Sequence, residues 1–160
     1  LEDDLLVVAA PRDPIVPSGR KRPVSKQALA RATWLLREQG SGTRATVTQL
    51  LVPHLHHLRA GIEFGNPEAI KRAAASGLGI TCLSRYVVAD MLKTGALVVV
   101  PTELPRLTRH FYVVLHRRKK QTRGLEILLR FLRDRRSEPL PAQIRRNDIQ
   151  RRSGDNRQPR

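Results

Sequence analysis

Apolar positions along this chain fall alternately into short continuous runs and helical stripes, and that alternation predicts a series of strand and helix units. Leu5–Ala10 (LLVVAA) is an apolar run stopped by Pro11, the pattern of a strand covered on both faces. A loop with four prolines follows over residues 11–23, after which Ser25 caps a short helix predicted over Lys26–Thr33 and Trp34–Arg37 forms the next strand. Val47, Leu50, Leu51, His54, Leu55 and Leu58 then recur at helical spacing, one face of a helix beginning near Thr43. Pro53 lies inside it, and its ring and missing N–H predict a kink or split near residues 49–53.

Ile62–Phe64 reads as a very short strand. Asn66-Pro67-Glu68 is a strong helix start, with a capping Asn, Pro at the first helical position and an acid in the first turn. This helix runs to about Ser76, with Ile70, Ala73 and Ala74 inward, Glu68 and Arg72 paired outside, and Gly77 closing it in the left-handed region. Gly79 opens the strand Ile80–Leu83, and Ser84 starts a helix with Val88, Met91 and Leu92 on one face and Gly95 at its end. Ala96–Val100 is a further strand, Arg109–His116 (RHFYVVLH) is predicted to be the longest, and Leu125, Leu128, Leu129 and Leu132 mark a last helix over Thr122–Arg135. The alternation argues for an α/β fold with a mainly parallel sheet covered on both sides. Residues 136–160 have almost no apolar content and are expected to be disordered. No internal repeat is present.

The corner Arg37–Arg44 (REQGSGTR) organises this series, because it joins a strand to a helix through two glycines and two hydroxyl residues. Gly40 and Gly42 permit a sharp turn, and Ser41 and Thr43 sit where free helix N–H groups point outward, a seat for an anion or polar ligand group. The Asn66 corner comes from the next unit, and the strand after it would deliver Ser84 to the same rim, where ligands bind in open α/β sheets. Arg44 stands close enough in sequence to serve as a counter-charge. The same residues serve equally well as ordinary helix caps, and both readings stand at this point.

Charge adds a second class of function. Thirty Lys and Arg against 14 Asp and Glu give a formal net charge of +16, which suggests nucleic acid or an anionic membrane surface as a partner. The tail from Arg136 carries seven Arg against three acids, so most of the excess lies on the body, in part as Arg20-Lys21-Arg22 and Arg117-Arg118-Lys119-Lys120. Aromatic residues make up only 4%, so stacking platforms for single strands are scarce. The single Cys82 excludes an internal disulfide and a Cys-rich zinc site, and its apolar setting predicts a buried thiol. His54, His56 and His57 lack a supporting carboxylate or Cys, so no metal site is assigned. No P-loop, nucleophile elbow or paired carboxylates appear, giving no positive case for an enzyme and no cofactor. No run reaches the roughly 18 apolar residues of a membrane span, and the acidic start Leu1-Glu2-Asp3-Asp4 is unlike a signal peptide, so a cytoplasmic location is expected.

Four segments taken in order, REQGSGTR (Arg37–Arg44), GNPEAIKRAAASGLGITCLSR (Gly65–Arg85), GALVVVP (Gly95–Pro101) and RHFYVVLHRRKK (Arg109–Lys120), resemble the effector-binding region of LysR-type transcriptional regulators. The resemblance spans about residues 1–135, closest to the branch that regulates sulfur assimilation and carbon fixation. It implies a type 2 periplasmic-binding-protein-like fold, with the second subdomain complete together with crossing strands and only part of the first subdomain. In those terms residues 1–16 hold a crossing strand, 17–101 the second subdomain, 102–135 the return strand (Phe111–Leu115) and last helix, and 136–160 a basic tail. The family's cleft positions fall on Ser41, Gly42, Thr43, Asn66, Gly79 and Ile80, and its dimer helix on Val47, Leu50, Leu51 and His54. The implied partners are a small anionic or polar effector, a second copy, and DNA through an N-terminal helix-turn-helix that this sequence does not include. Gln39 stands where the family commonly has Pro, and Pro53 interrupts a helix that is usually continuous. As a fragment, Leu5–Ala10 and Phe111–Leu115 would lack sheet neighbours. The alternatives are a basic, sequence-indifferent nucleic-acid-binding protein and an inactive truncated regulator.

Overall fold

The apolar run at the start of the chain becomes the central strand of a computed structural model that describes residues 2–17, 22–118, 120 and 122–134. This strand, β1 (Glu2–Ala9), is followed by α1 (Lys26–Arg31), β2 (Trp34–Arg37), α2 (Gly42–Leu55), β3 (Ala60–Phe64), α3 (Pro67–Ala75), β4 (Thr81–Ser84), α4 (Arg85–Thr94), β5 (Val98–Val99), β6 (Leu107–His110) and α5 (Arg123–Asp134). Arg20 and Lys21, Lys119, Arg135 and the tail 136–160 lie outside the described residues. The chain divides into two compact units, residues 1–112 and 113–160.

In the first unit, β1 pairs antiparallel with β4 along one side and with β5 and β6 along the other. β2 pairs parallel with β3, and a parallel bridge from Trp34 to Ile80 ties β2 to the start of β4. β2 to β6 therefore run in one direction and β1 alone runs against them. The mainly parallel sheet expected from the sequence is corrected: all three pairings of β1 are antiparallel, and β2 with β3 is the one parallel strand pair among the described residues. The isolation expected for Leu5–Ala10 is corrected as well, since β1 has neighbours on both sides.

Alternation of side chains along each strand builds two cores. Leu5, Val7, Trp34, Leu36, Ile80 and Cys82 face Leu29 of α1 and Val47, Leu51 and Leu55 of α2. Val8, Leu35 and Leu83 face Ile70, Ala73 and Ala74 of α3 and Val88 of α4. Trp34 is fully buried, and its indole N–H donates to Leu29 O at 2.9 Å, so the largest core side chain leaves no polar group unpaired. Burial also pushes the Cys82 thiol up to about 12, which keeps it protonated and inert.

Local signals set the helix ends. Ser25, Ser41, Asn66 and Ser84 are all N-caps whose side chains accept helix N–H groups, and Gly77 and Gly95 take the left-handed conformation after α3 and α4. Pro53 does not split α2. It lies in the last turn, where only one intrahelical bond is lost, and α2 runs on to Leu55 before His56 turns out of it at φ 64°. Lys71 was not foreseen as a core residue. It is buried, yet its ammonium reaches Glu68 at 2.8 Å and Asp90 of α4 at 2.9 Å. Burial presses its pKa down, but the two carboxylates outweigh burial and hold it above its ordinary value.

The strand expected over Arg109–His116 is shorter and earlier than its apolar pattern implied. β6 ends at His110, and β1 is the longest strand. The return pairing is made by Leu107–His110 against Glu2–Leu5, so Phe111–Leu115 lie beyond it, outside any strand and exposed. In the second unit, Thr122 Oγ accepts the Leu125 N–H at the start of α5. Leu125 and Leu129 of that helix are half-buried, and Ile127, Leu128 and Leu132 are exposed. Among the described residues no helix is long and apolar enough to cross a membrane.

Candidate functional site

Because β2, β3 and β4 run in one direction, their following helices begin on one rim of the sheet. At the first of these corners, Gly40 at φ 86° and the Ser41 N–H to Glu38 O bond fold the chain back, and Glu38 N–H donates to Phe64 O at the end of β3. Among the described residues Ser41 Oγ accepts the Arg44 N–H alone, at 3.5 Å. Among the described residues the amides of Gly42 and Thr43, and the Thr43 hydroxyl, have no hydrogen-bond partner. A helix start with free N–H groups carries a partial positive charge directed outward.

β6 reaches the same rim, since Arg109 and His110 pair with Asp3 and Glu2 at the start of β1. The two sides flank a shallow, open hollow of about 470 Å³. Arg37, Ser41, Gly42, Thr43 and Thr46 line it from β2 and α2, and Arg109, His110 and Phe111 from the end of β6. The Arg109 guanidinium lies 4.7 Å from the centre of the Phe111 ring, and its Nε donates to Asp3 Oδ2 at 2.8 Å. Arg37 is held by its neighbour Glu38 through two bonds of 2.7 and 2.8 Å, which lower the Glu38 carboxyl to about 2.

Of the residues singled out from the sequence, this arrangement brings together Ser41, Gly42 and Thr43. Arg44 points elsewhere, donating to Arg37 O at 2.7 Å and to Glu63 at 2.9 Å, so it fastens α2 to β2 and β3. Asn66 is exposed on the same rim but outside the hollow, with its side-chain oxygen accepting the Ala69 N–H at 2.8 Å. Ser84 reaches the rim and turns inward. It is buried, donates to Asp3 Oδ1 at 2.8 Å and accepts the Tyr86 N–H. Gly79 and Ile80 stand at the start of β4, the opposite end of the sheet. There Gly79, at φ 149°, leaves room for Thr33 O, which a Cβ would approach to 2.5 Å. In the expected dimer helix, Val47 and Leu51 are consumed by the chain's own core, Leu50 packs against that core half-buried, and His54 is half-buried.

Arg37, Thr46, Arg109, His110 and Phe111 were missed. Arg37 carried a usable signal as the last residue of a strand that feeds a ligand-type corner. Arg109 carried none, because its place depends on pairing with a residue 106 positions away. Among the described residues no three His, Cys, Asp or Glu side chains gather as a metal site.

Comparison with known proteins gives a consistent set of relatives. The family model described as the LysR substrate binding domain matches residues 1–137. The chain is 46% identical over 129 residues to the uncharacterized HTH-type transcriptional regulator YeiE of Escherichia coli (strain K12), covering 81% of this chain and 43% of that protein. It is 31% identical over 132 residues to the HTH-type transcriptional activator CmpR of Synechocystis sp., covering 82% and 42%. The Synechocystis PCC6803 CcmR regulatory domain, solved in complex with 2-PG, superposes with a TM-score of 0.71 at 28% identity over 89% of this chain and 66% of that one. The chain thus spans less than half the length of the curated relatives it matches.

Proposed function

This chain belongs to the LysR substrate-binding domain family, and from that premise we propose that the hollow between the Ser41–Thr43 corner and Arg109–Phe111 holds a small anionic or polar effector. The observation that carries the reading is the pair of amides at Gly42 and Thr43, without a partner among the described residues, opening onto a hollow of about 470 Å³, a volume suited to a small metabolite. Arg37, Arg109 and the helix start favour an acidic group at that end. The relative solved with 2-PG supports a small molecule as the occupant.

In the whole regulator, occupancy would bias the geometry of subdomains or of a homo-oligomer and so the behaviour of a separate DNA-binding region. Leu50 and His54 are the part of α2 a second copy could touch. The chain acts as a sensor without turnover, in the cytoplasm where its promoters lie. The test is thermal stabilisation across a panel of carboxylated, phosphorylated and neutral polar metabolites, on a chain that spans the whole effector-binding region. A concentration-dependent rise in Tm that Thr43→Ala abolishes supports the reading; no rise with any compound, together with an unchanged Thr43→Ala variant, ends it.

A further inference from the structure

The two arginines at the hollow are restrained in different ways. Arg109 is fixed by Asp3, whose side chain is 1% exposed and also receives the Ser84 hydroxyl. Without that carboxylate the buried Ser84 hydroxyl and the half-buried Arg109 guanidinium would both lose their acceptor. Arg37 is held by Glu38, which is 43% exposed, adjacent in sequence and part of the turn. Backbone bonds from Glu38 N–H to Phe64 O and from Ser41 N–H to Glu38 O hold the turn in place independently of the Glu38 side chain. The carboxylate can therefore swing into solvent while the corner stays folded.

Resting on the effector reading above, we propose that Glu38 is a built-in competitor for the effector's acidic group: its carboxylate occupies the Arg37 guanidinium that an anionic ligand in the hollow would take over. Glu38 grips the guanidinium with both oxygens, the same two-pronged contact a ligand carboxylate or phosphate makes. An anion gains Arg37 only by outcompeting it, and a neutral analogue of the same shape gains nothing there. The device sets a threshold concentration and selects for charge.

The test titrates inorganic phosphate and malonate into the full chain and its variants by calorimetry, with thermal shift as a second readout. Glu38→Gln should bind at least one of these anions roughly two- to fivefold more tightly, the scale of an exposed ion pair. Glu38→Asp, which keeps the charge, should stay near the parent, and Glu103→Gln, which removes one negative charge from another exposed position, should not gain. If the parent binds either anion and Glu38→Gln binds no more tightly, or Glu103→Gln gains as much, the competitor is overturned while the effector reading stands. If neither anion binds the parent or Glu38→Gln, the competitor is again overturned, and the effector reading is decided separately by its metabolite panel.

Discussion

Two corners of this sheet look alike in sequence and differ in what they can do. Ser41 follows β2 and Ser84 ends β4, two strands that run in one direction; each caps a helix, and both face the same rim. At Ser84 the buried Asp3 carboxylate takes the hydroxyl, and Arg109 closes the other side of that carboxylate. At Ser41 nothing among the described residues takes the Gly42 and Thr43 amides, and a hollow opens in front of them. A helix cap becomes a candidate binding site only when the rest of the fold leaves its donors unanswered, and that depends on residues far away in sequence.

The comparison can be broken most forcefully at Asp3. Asp3→Ala removes the acceptor for both Ser84 and Arg109 inside the fold and should lower stability by about 3 kcal/mol in urea denaturation. Gly79→Ala should cost about 2 kcal/mol through its strained φ and the clash with Thr33 O, whereas Gly42→Ala, with nothing within 4 Å of the new methyl, should leave Tm unchanged. Ser84→Ala and Ser41→Ala both lose a cap, about 1 kcal/mol each, with the Ser84 change larger because it also leaves Asp3 short of a donor.

The smallest effect is the pH dependence of the open corner. In the fold Arg37 holds the Glu38 carboxyl at about 2, below its ordinary 4.5. That pair contributes fully above 4.5, and the contribution fades as the pH falls toward 2. Glu38→Gln should flatten that part of the acid-side slope in a stability-versus-pH series, with its small deficit against the parent full at neutral pH and closing as the pH falls toward 2.

Local chemistry was legible in the sequence. The caps at Ser25, Ser41, Asn66 and Ser84 and the terminating Gly77 and Gly95 were all found, because capping is decided within about four residues. Pairing over long separations was not. The Ser84 to Asp3 bond spans 81 positions, and Lys71 reads as a surface charge until Asp90 is brought to it. Phe111–Leu115 shows why an apolar run misleads: hydrophobicity states a preference for burial without naming the partner, and the strand pairing was made by the more polar Leu107–His110. The hollow was half visible for the same reason, its α2 side in a local motif and its β6 side in a distant one.

The Ser41 corner takes the ligand and the Ser84 corner does not. Amide NMR during titration with the metabolite that most raises Tm tests this directly. Saturable shifts at Gly42, Thr43, Arg109 and His110, with the Tyr86 amide at the Ser84 corner unmoved, are the predicted result. Shifts centred on Tyr86, or none at Gly42 and Thr43 while the ligand binds, would contradict it.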